Sequence, residues 1–247
     1  MSAIAISVWT EPLAESNCYI IYEHKERHGN EVAPCVVIDP NDPAGPLSVL
    51  EQKGLRPEWI LLTHEHCDHT AGLEPMRERF PDAQVMASEQ CNVGMQNARL
   101  NMSRMMEVYL TFFGKSGVSY TPFVCRPADK TYSEACTLDW REHTFRFVPL
   151  PGHTAGSVGI FLDDDIFFSG DYLLPGREVI LRLPGGSEKD YHEITEPFLA
   201  TLPVGIHIYP GHGKDYRLAM PVDSCEGLIP RCFANAASSI LKDAKQI

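Results

Sequence analysis

The chain has 247 residues, 44% hydrophobic and 22% charged, and 33 acidic against 21 basic side chains give a net charge of −12. A chain of this length buries about 70% of its unfolded surface and supports a core without disulfides, while the composition excludes disorder and fibrous structure. No Lys/Arg cluster is longer than a pair, which excludes a phosphate-backbone partner, and no apolar run reaches the about 18 residues of a membrane span.

Met1 to Trp9 carries no cationic leader pattern, so it reads as a strand rather than a signal peptide. The eight cysteines (18, 35, 67, 91, 125, 136, 225 and 232) form no CxxC pair and read as small buried apolar residues with reduced thiols, as in a cytoplasmic protein. Ile4–Trp9, Cys18–Glu23 and Cys35–Asp39 are expected as strands, and a Pro- and Gly-rich turn over 40–46 delivers the chain to a helix over Leu47–Lys53. Trp59–Thr63 is a continuous apolar run that ends in a burst of polar residues, the pattern of a buried strand with chemistry at its C-terminal end. A helix over Gly72–Phe80 and a strand over Gln84–Ala87 follow.

Residues 88–113 are apolar with helical spacing and rich in methionine; they read as a core helix, with a substrate-facing lid as the alternative. Strands return at Thr144–Leu150, Gly159–Leu162 and Ile166–Phe168. Asp163-Asp164-Asp165 lies between two of them and reads as a hairpin turn rather than a metal site. Glu188–Leu202 is expected as a helix, Ile206–Tyr209 as a strand and Phe233–Lys245 as a terminal helix. Strands and helices alternate in each half, so the expected fold is a layered single domain over 1–247 with two internal sheets, the halves meeting near residue 130.

The chemistry is concentrated in Thr63-His64-Glu65-His66-Cys67-Asp68-His69. So many polar groups after a buried strand cost stability unless something pairs them, and a divalent cation takes neutral imidazole and carboxylate as ligands. In an extended chain His64, His66 and Asp68 share one side and His69 points elsewhere, so one segment can serve two cations. His153, Asp171 and His212 each follow a glycine at the end of a strand, a setting that lets the backbone approach a cation closely. His24, His28, His143, His192 and His207 lack such settings and read as surface or rim groups.

With these residues in place the chain resembles the metallo-β-lactamase superfamily. His64, His66, Asp68 and His69 fill the family pattern HxHxDH, and His153, Asp171 and His212 fill its later positions. The resemblance implies an αββα sandwich and two divalent metal ions, Zn2+ in first place with Fe or Mn as alternatives. It assigns His64, His66 and His153 to one ion, Asp68, His69 and His212 to the other, and Asp171 as the bridge. It also implies that Cys67 points away from the metals and that Asp68 is the catalytic residue, taking and returning a proton as a metal-bridged hydroxide attacks.

An aspartate bridge at position 171 is similar to the glyoxalase II and lactonase branch rather than to true β-lactamases. The expected activity is therefore hydrolysis of a thioester, ester or lactone, as in a hydroxyacylglutathione hydrolase. Two departures argue against glutathione thioesters: the stretch after Asp171 lacks the usual Gly-Arg-x-Asp, and only 35 residues follow His212. Tyr172, Arg177 and Lys214 are expected contacts for an anionic substrate. A small-molecule substrate, no nucleic acid, no membrane and a homodimer as candidate assembly complete the expectation. A mononuclear iron persulfide dioxygenase on the same scaffold is the alternative, and a non-catalytic metal-binding scaffold is a third reading that the full set of seven ligand positions argues against.

Overall fold

The computed structural model of the chain describes residues 3–24, 32–219 and 222. Six strands form the first sheet, in the order in which they occur: β1 (Ile4–Thr10), β2 (Asn17–Glu23), β3 (Ala33–Ile38), β4 (Leu55–Leu61), β5 (Gln84–Ser88) and β6 (Lys130–Tyr132). The first three pair antiparallel through short connections, and β3 to β6 pair parallel. Parallel neighbours need crossovers, and helices supply them: α1 (Gly45–Gln52) leads into β4, α2 (Cys67–Thr70) and α3 (Leu73–Arg79) lead to β5, and α4 (Glu89–Met95) and α5 (Met106–Phe112) precede β6. The second sheet likewise sets consecutive strands side by side: β7 (Cys136–Trp140), β8 (His143–Pro149), β9 (Val158–Leu162), β10 (Ile166–Gly170), β11 (His207–Pro210) and β12 (Tyr216–Arg217). The chain passes from one sheet to the other between Tyr132 and Cys136.

Alternation along the strands produces the layers. Side chains two apart share a face, so Tyr19, Ile21, Val36, Ile38 and Leu61 point inward and meet Phe145, Phe147, Ile160, Leu162 and Phe168 of the second sheet. Their neighbours Cys18, Ile20, Cys35, Val37 and Ile60 point outward and are covered by Leu50, Leu73, Met76, Cys91 and Met95 from the helices. Phe161, Phe167 and Ile208 on the other outer face pack against Leu199, Leu202 and Tyr172. Strands buried on both faces read as unbroken apolar runs, and the result is the expected αββα sandwich. None of the six cysteines among the described residues is in a disulfide. No helix among them is long and apolar enough to cross a membrane.

Three local expectations change. The stretch 88–113 is not one helix: α4, capped by Ser88 Oγ accepting from Cys91 N, ends at Met95, and turns intervene before α5. Asn97 and Asn101 cause the break, because their side-chain oxygens accept from the Arg99 and Ser103 amides and compete with helical bonding. The helix expected over Glu188–Leu202 is α6 (Glu188–Asp190), a π turn (Tyr191–Thr195) and α7 (Glu196–Leu199); Pro197 lacks an N–H and forces the widened turn before it. His143 is buried, not at the surface, and its Nδ1 lies 2.5 Å from Asp163 Oδ2. Asp163 and Asp164 take positive φ (51° and 58°) in the β9–β10 turn, as expected of a hairpin. The Phe233–Lys245 helix, His28, Cys225 and Cys232 lie outside the described residues.

Candidate metal centre

All seven motif positions converge at one end of the two sheets, on the segments that follow β4, β8, β10 and β11. The backbone stays extended through His66 (φ −58°, ψ 147°) and turns helical at Cys67. The expected common side for His64, His66 and Asp68 therefore ends at His66, and Asp68 groups with His69 on the first turn of α2. Gly170 holds φ at 55° immediately before Asp171, a left-handed conformation that suits glycine. Gly211 is required by space, since a Cβ there would lie 2.2 Å from Asp171 Oδ1.

Three trios of side chains have ligand atoms within 4.8 Å of one another: His64–His66–His153, Asp68–His69–His212, and Asp39–His64–His69, which shares one histidine with each of the others. Asp171 lies between the first two: its Oδ2 is 3.4 Å from His153 Nε2 and 3.5 Å from His212 Nε2, and its Oδ1 is 3.2 Å from His69 Nε2. His66 Nδ1 faces His153 Nε2 at 3.0 Å. Buried His64 Nε2, His66 Nε2, His69 Nε2, His212 Nδ1 and Asp171 Oδ1 have no hydrogen-bond partner. Buried polar groups are nearly always paired; the orphaned His64 Nε2, His69 Nε2 and Asp171 Oδ1 are of the imidazole and carboxylate types that divalent transition metals take, so the clusters fit a metal site.

Outer hydrogen bonds settle which ring nitrogen faces inward. Thr63 Oγ1 donates to Asp39 Oδ2 at 2.6 Å, so at 3.1 Å from His64 Nδ1 it accepts that N–H. His69 Nδ1 donates to Asp39 Oδ2 at 3.0 Å and His153 Nδ1 to the Ile180 carbonyl at 2.8 Å. Each of these rings is thereby turned with its Nε2 toward the centre, the arrangement in which a second partner orients a metal-binding histidine.

The trios differ in electrostatics. Burial, then neighbouring imidazoles, pushes His64 well below the ordinary range and His66 down to about 3. Burial also lowers His153, against the pull of Asp171. These three are neutral, the ligating form. In the second trio burial works in the same direction but is outweighed: Asp171 and Asp68 raise His69 well above its usual value and His212 to about 9.

Asp39 and Thr63 carried no expectation from sequence. Asp39 closes the apolar run of β3 with φ 53° and accepts from both Thr63 N and Thr63 Oγ1; a carboxylate ending a buried strand was its only signal. The apolar stretch over 88–113 contributes a roof: Met102, Met106 and Tyr109, with Leu183, line the cleft over His66, Asp68, His153 and Asp171, leaving about 20 Å³, enough for one water. Met106 and Leu110 are also buried with Cys67, so this segment is core on one face and cleft wall beside it. Val108 and Phe112 on its outer face are exposed.

The three expected substrate contacts separate. Tyr172 is buried, and its hydroxyl accepts from His153 N at 2.8 Å and donates to the Leu150 carbonyl at 2.7 Å. It buttresses the His153 loop, because both bonding directions of its hydroxyl are used there. Arg177 and Lys214 line a different space, a groove of about 530 Å³ with Tyr19, Tyr209 and Glu15, and Arg177 pairs with Glu15 at 2.9 Å.

Comparison with known proteins agrees with this geometry. The chain is 30% identical over 183 residues to the probable metallo-hydrolase YqgX of Bacillus subtilis, covering 73% of this chain and 81% of that one. It is 28% identical over 165 residues to a hydroxyacylglutathione hydrolase of Hamiltonella defensa, covering 64% of this chain and only 51% of that enzyme, about half its length. The crystal structure of TTHA1623 in a di-iron-bound form superposes with a TM-score of 0.63 at 28% identity, over 86% of this chain and 94% of that one. Residues 14–212 match the profile of the metallo-beta-lactamase superfamily, and the chain belongs to that superfamily.

Proposed function

We propose that this chain is a dinuclear metal-dependent hydrolase of a thioester, ester or lactone, with glyoxalase II-like chemistry. The observation that carries the reading is the convergence of two complete trios on either side of Asp171. His64, His66 and His153 would hold one divalent ion, Asp68, His69 and His212 the other, with Asp171 shared. Zinc suits the nitrogen-rich first trio; iron is the alternative favoured by the di-iron relative. Such ions supply an acidified water and polarise a carbonyl oxygen when bound.

The remaining work falls to the chain's own side chains. Asp68 lines the cleft with its Oδ2 3.4 Å from His212 Nε2. It takes the proton of the attacking water and returns it to the leaving thiolate or alkoxide. Met102, Met106 and Leu183 exclude bulk water, which strengthens every electrostatic interaction beneath them. Arg177 and Lys214 would meet an anionic part of a substrate that extends into their groove. The likeness to hydroxyacylglutathione hydrolases and to a probable metallo-hydrolase supports the hydrolytic reading.

Metal-loaded protein is expected to hydrolyse S-lactoylglutathione, a simple thioester or a lactone. Asp68→Ala should lower turnover by about 100-fold or more, with an unchanged circular dichroism spectrum. A panel of these substrates with no activity above a chelator-treated control overturns the proposal. One iron per chain together with oxygen uptake on a persulfide would replace it with a dioxygenase.

A further inference from the structure

Glu65 stands between His64 and His66 in the motif, and the chemistry above gives it no task. Its residue is 2% exposed, so a carboxylate has been buried beside a cluster of imidazoles. Burying a carboxylate is costly without hydrogen bonds, and the surroundings are shaped to receive this one. Three glycines wall it in: a Cβ at Gly94 would lie 2.5 Å from Glu65 Cγ, one at Gly156 2.4 Å from Oε2, and one at Gly185 3.6 Å from Oε1. Gly94 belongs to α4, Gly156 to the loop after His153, and Gly185 to the loop that runs on from Ile180, whose carbonyl orients His153. The side-chain donor is Thr154, whose Oγ1 lies 2.9 Å from Glu65 Oε2. The Thr154 hydroxyl is itself held, accepting from Gly156 N at 3.2 Å and lying 3.0 Å from Ser157 Oγ.

The two ends of this hydrogen bond are flanked by ligand positions. Glu65 adjoins His64 and His66, and Thr154 adjoins His153, so the bond spans the two segments whose histidines form the first trio. The second trio is secured separately. Asp39 holds His69, Ser16 Oγ donates to the Asp68 carbonyl at 2.6 Å, and Asn17 Nδ2 donates to the carbonyls of Pro210 and Gly213, which flank the His212 turn.

We propose that Glu65 is a positioning residue for the first metal site. Through the Thr154 hydroxyl it clamps the His153 loop against the His64–His66 segment, and so sets the separation of the three nitrogens without touching the ion. The inference rests on the dinuclear reading above. Outer partners of metal ligands typically change affinity by about 10- to 100-fold when removed, and this clamp should act on one site of the two.

The test uses the full-length protein loaded with zinc alone, read by elemental analysis and zinc titration. Wild type should hold two zinc ions. Glu65→Ala and Thr154→Val should each keep one tightly and bind the other about 10- to 100-fold more weakly, and Thr154→Ser, which retains the hydroxyl, should restore both. In the Glu65→Ala background, adding His212→Ala should abolish the tight binding and leave the weak, whereas adding His153→Ala should leave the tight ion and abolish the weak. If Glu65→Ala fails to fold, Thr154→Val decides, with the metal-free melting temperature as control. Two ions of wild-type affinity in Thr154→Val, or equal weakening of both sites, overturns the clamp. A wild-type protein that takes up no zinc or iron overturns the dinuclear reading, and the clamp with it.

Discussion

The two trios that face each other across Asp171 are built from nearly the same residue types but reach different states. The first has three imidazoles and no carboxylate of its own; burial keeps them neutral, and Thr63 and the Ile180 carbonyl hold the outer N–H groups of His64 and His153. The second includes Asp68 and sets two imidazoles beside Asp171, at 3.2 and 3.5 Å, so His69 and His212 hold protons that a metal must displace. Preorganisation for a cation is thus a property of surroundings rather than of ligand identity. Burial alone prepares one site; at the other, carboxylates that attract the cation also attract a competing proton.

Several outcomes would break or sharpen that contrast. The largest effect is expected for Asp171→Ala, which removes the residue shared by both trios. Bound metal should fall at both sites and hydrolysis should drop to the level of the chelated protein, checked by elemental analysis beside the rate. Retention of a full complement of metal would show that the trios do not depend on their common carboxylate.

Asp39→Ala should come next. It removes the acceptor of His69 Nδ1 directly and reaches His64 only through Thr63. The second site should weaken by about 10- to 100-fold and the first by less, measured by competition with a calibrated zinc chelator. Equal weakening would mean that Asp39 serves both trios alike.

The last contrast is a pH dependence. His212 is raised from its ordinary value to about 9 in the folded, metal-free chain, so its protonated form stabilises the fold fully below about 6.5 and loses that contribution as pH rises through about 9. Metal uptake at the second site should therefore displace protons from His212 and His69 and tighten as pH rises from about 6.5 to 9, by about tenfold per unit for each proton released. The first trio, with His66 neutral above about 3, should bind with little change over that range. Calorimetry in two buffers of different ionisation enthalpy separates the sites; proton release of the same size at both would contradict the assignment.

Much of the architecture was legible along the chain because strands buried on both faces leave apolar runs, and Trp59–Thr63 ends in polar residues where a site was expected. The seven candidate ligand positions stood out for a related reason: imidazoles and carboxylates at strand ends have few bland uses in such density. Asp39 was not. A lone aspartate after Ile38 looks like any strand terminator, and only the fold brings Thr63 and His69 within 3.0 Å of its oxygens. Tyr172 was misread in the opposite way, since adjacency to Asp171 in sequence says nothing about which side of the loop its ring occupies. The 88–113 stretch could not be apportioned between core and cleft because Met102, Met106 and Leu110 differ in neighbours rather than in hydrophobicity.

The sequence by itself determined the layered fold and the set of candidate ligand side chains, because periodicity and residue chemistry are local properties of a chain, and its motif carried the resemblance to the family and the division of those candidates into two trios. Only the tertiary structure decided which ring nitrogens face inward, which histidines carry protons and which outer partners hold them. Those outcomes depend on distances between segments far apart in the chain, such as the 3.0 Å that separates His66 Nδ1 from His153 Nε2, and on burial, which no residue possesses until the sheets have packed.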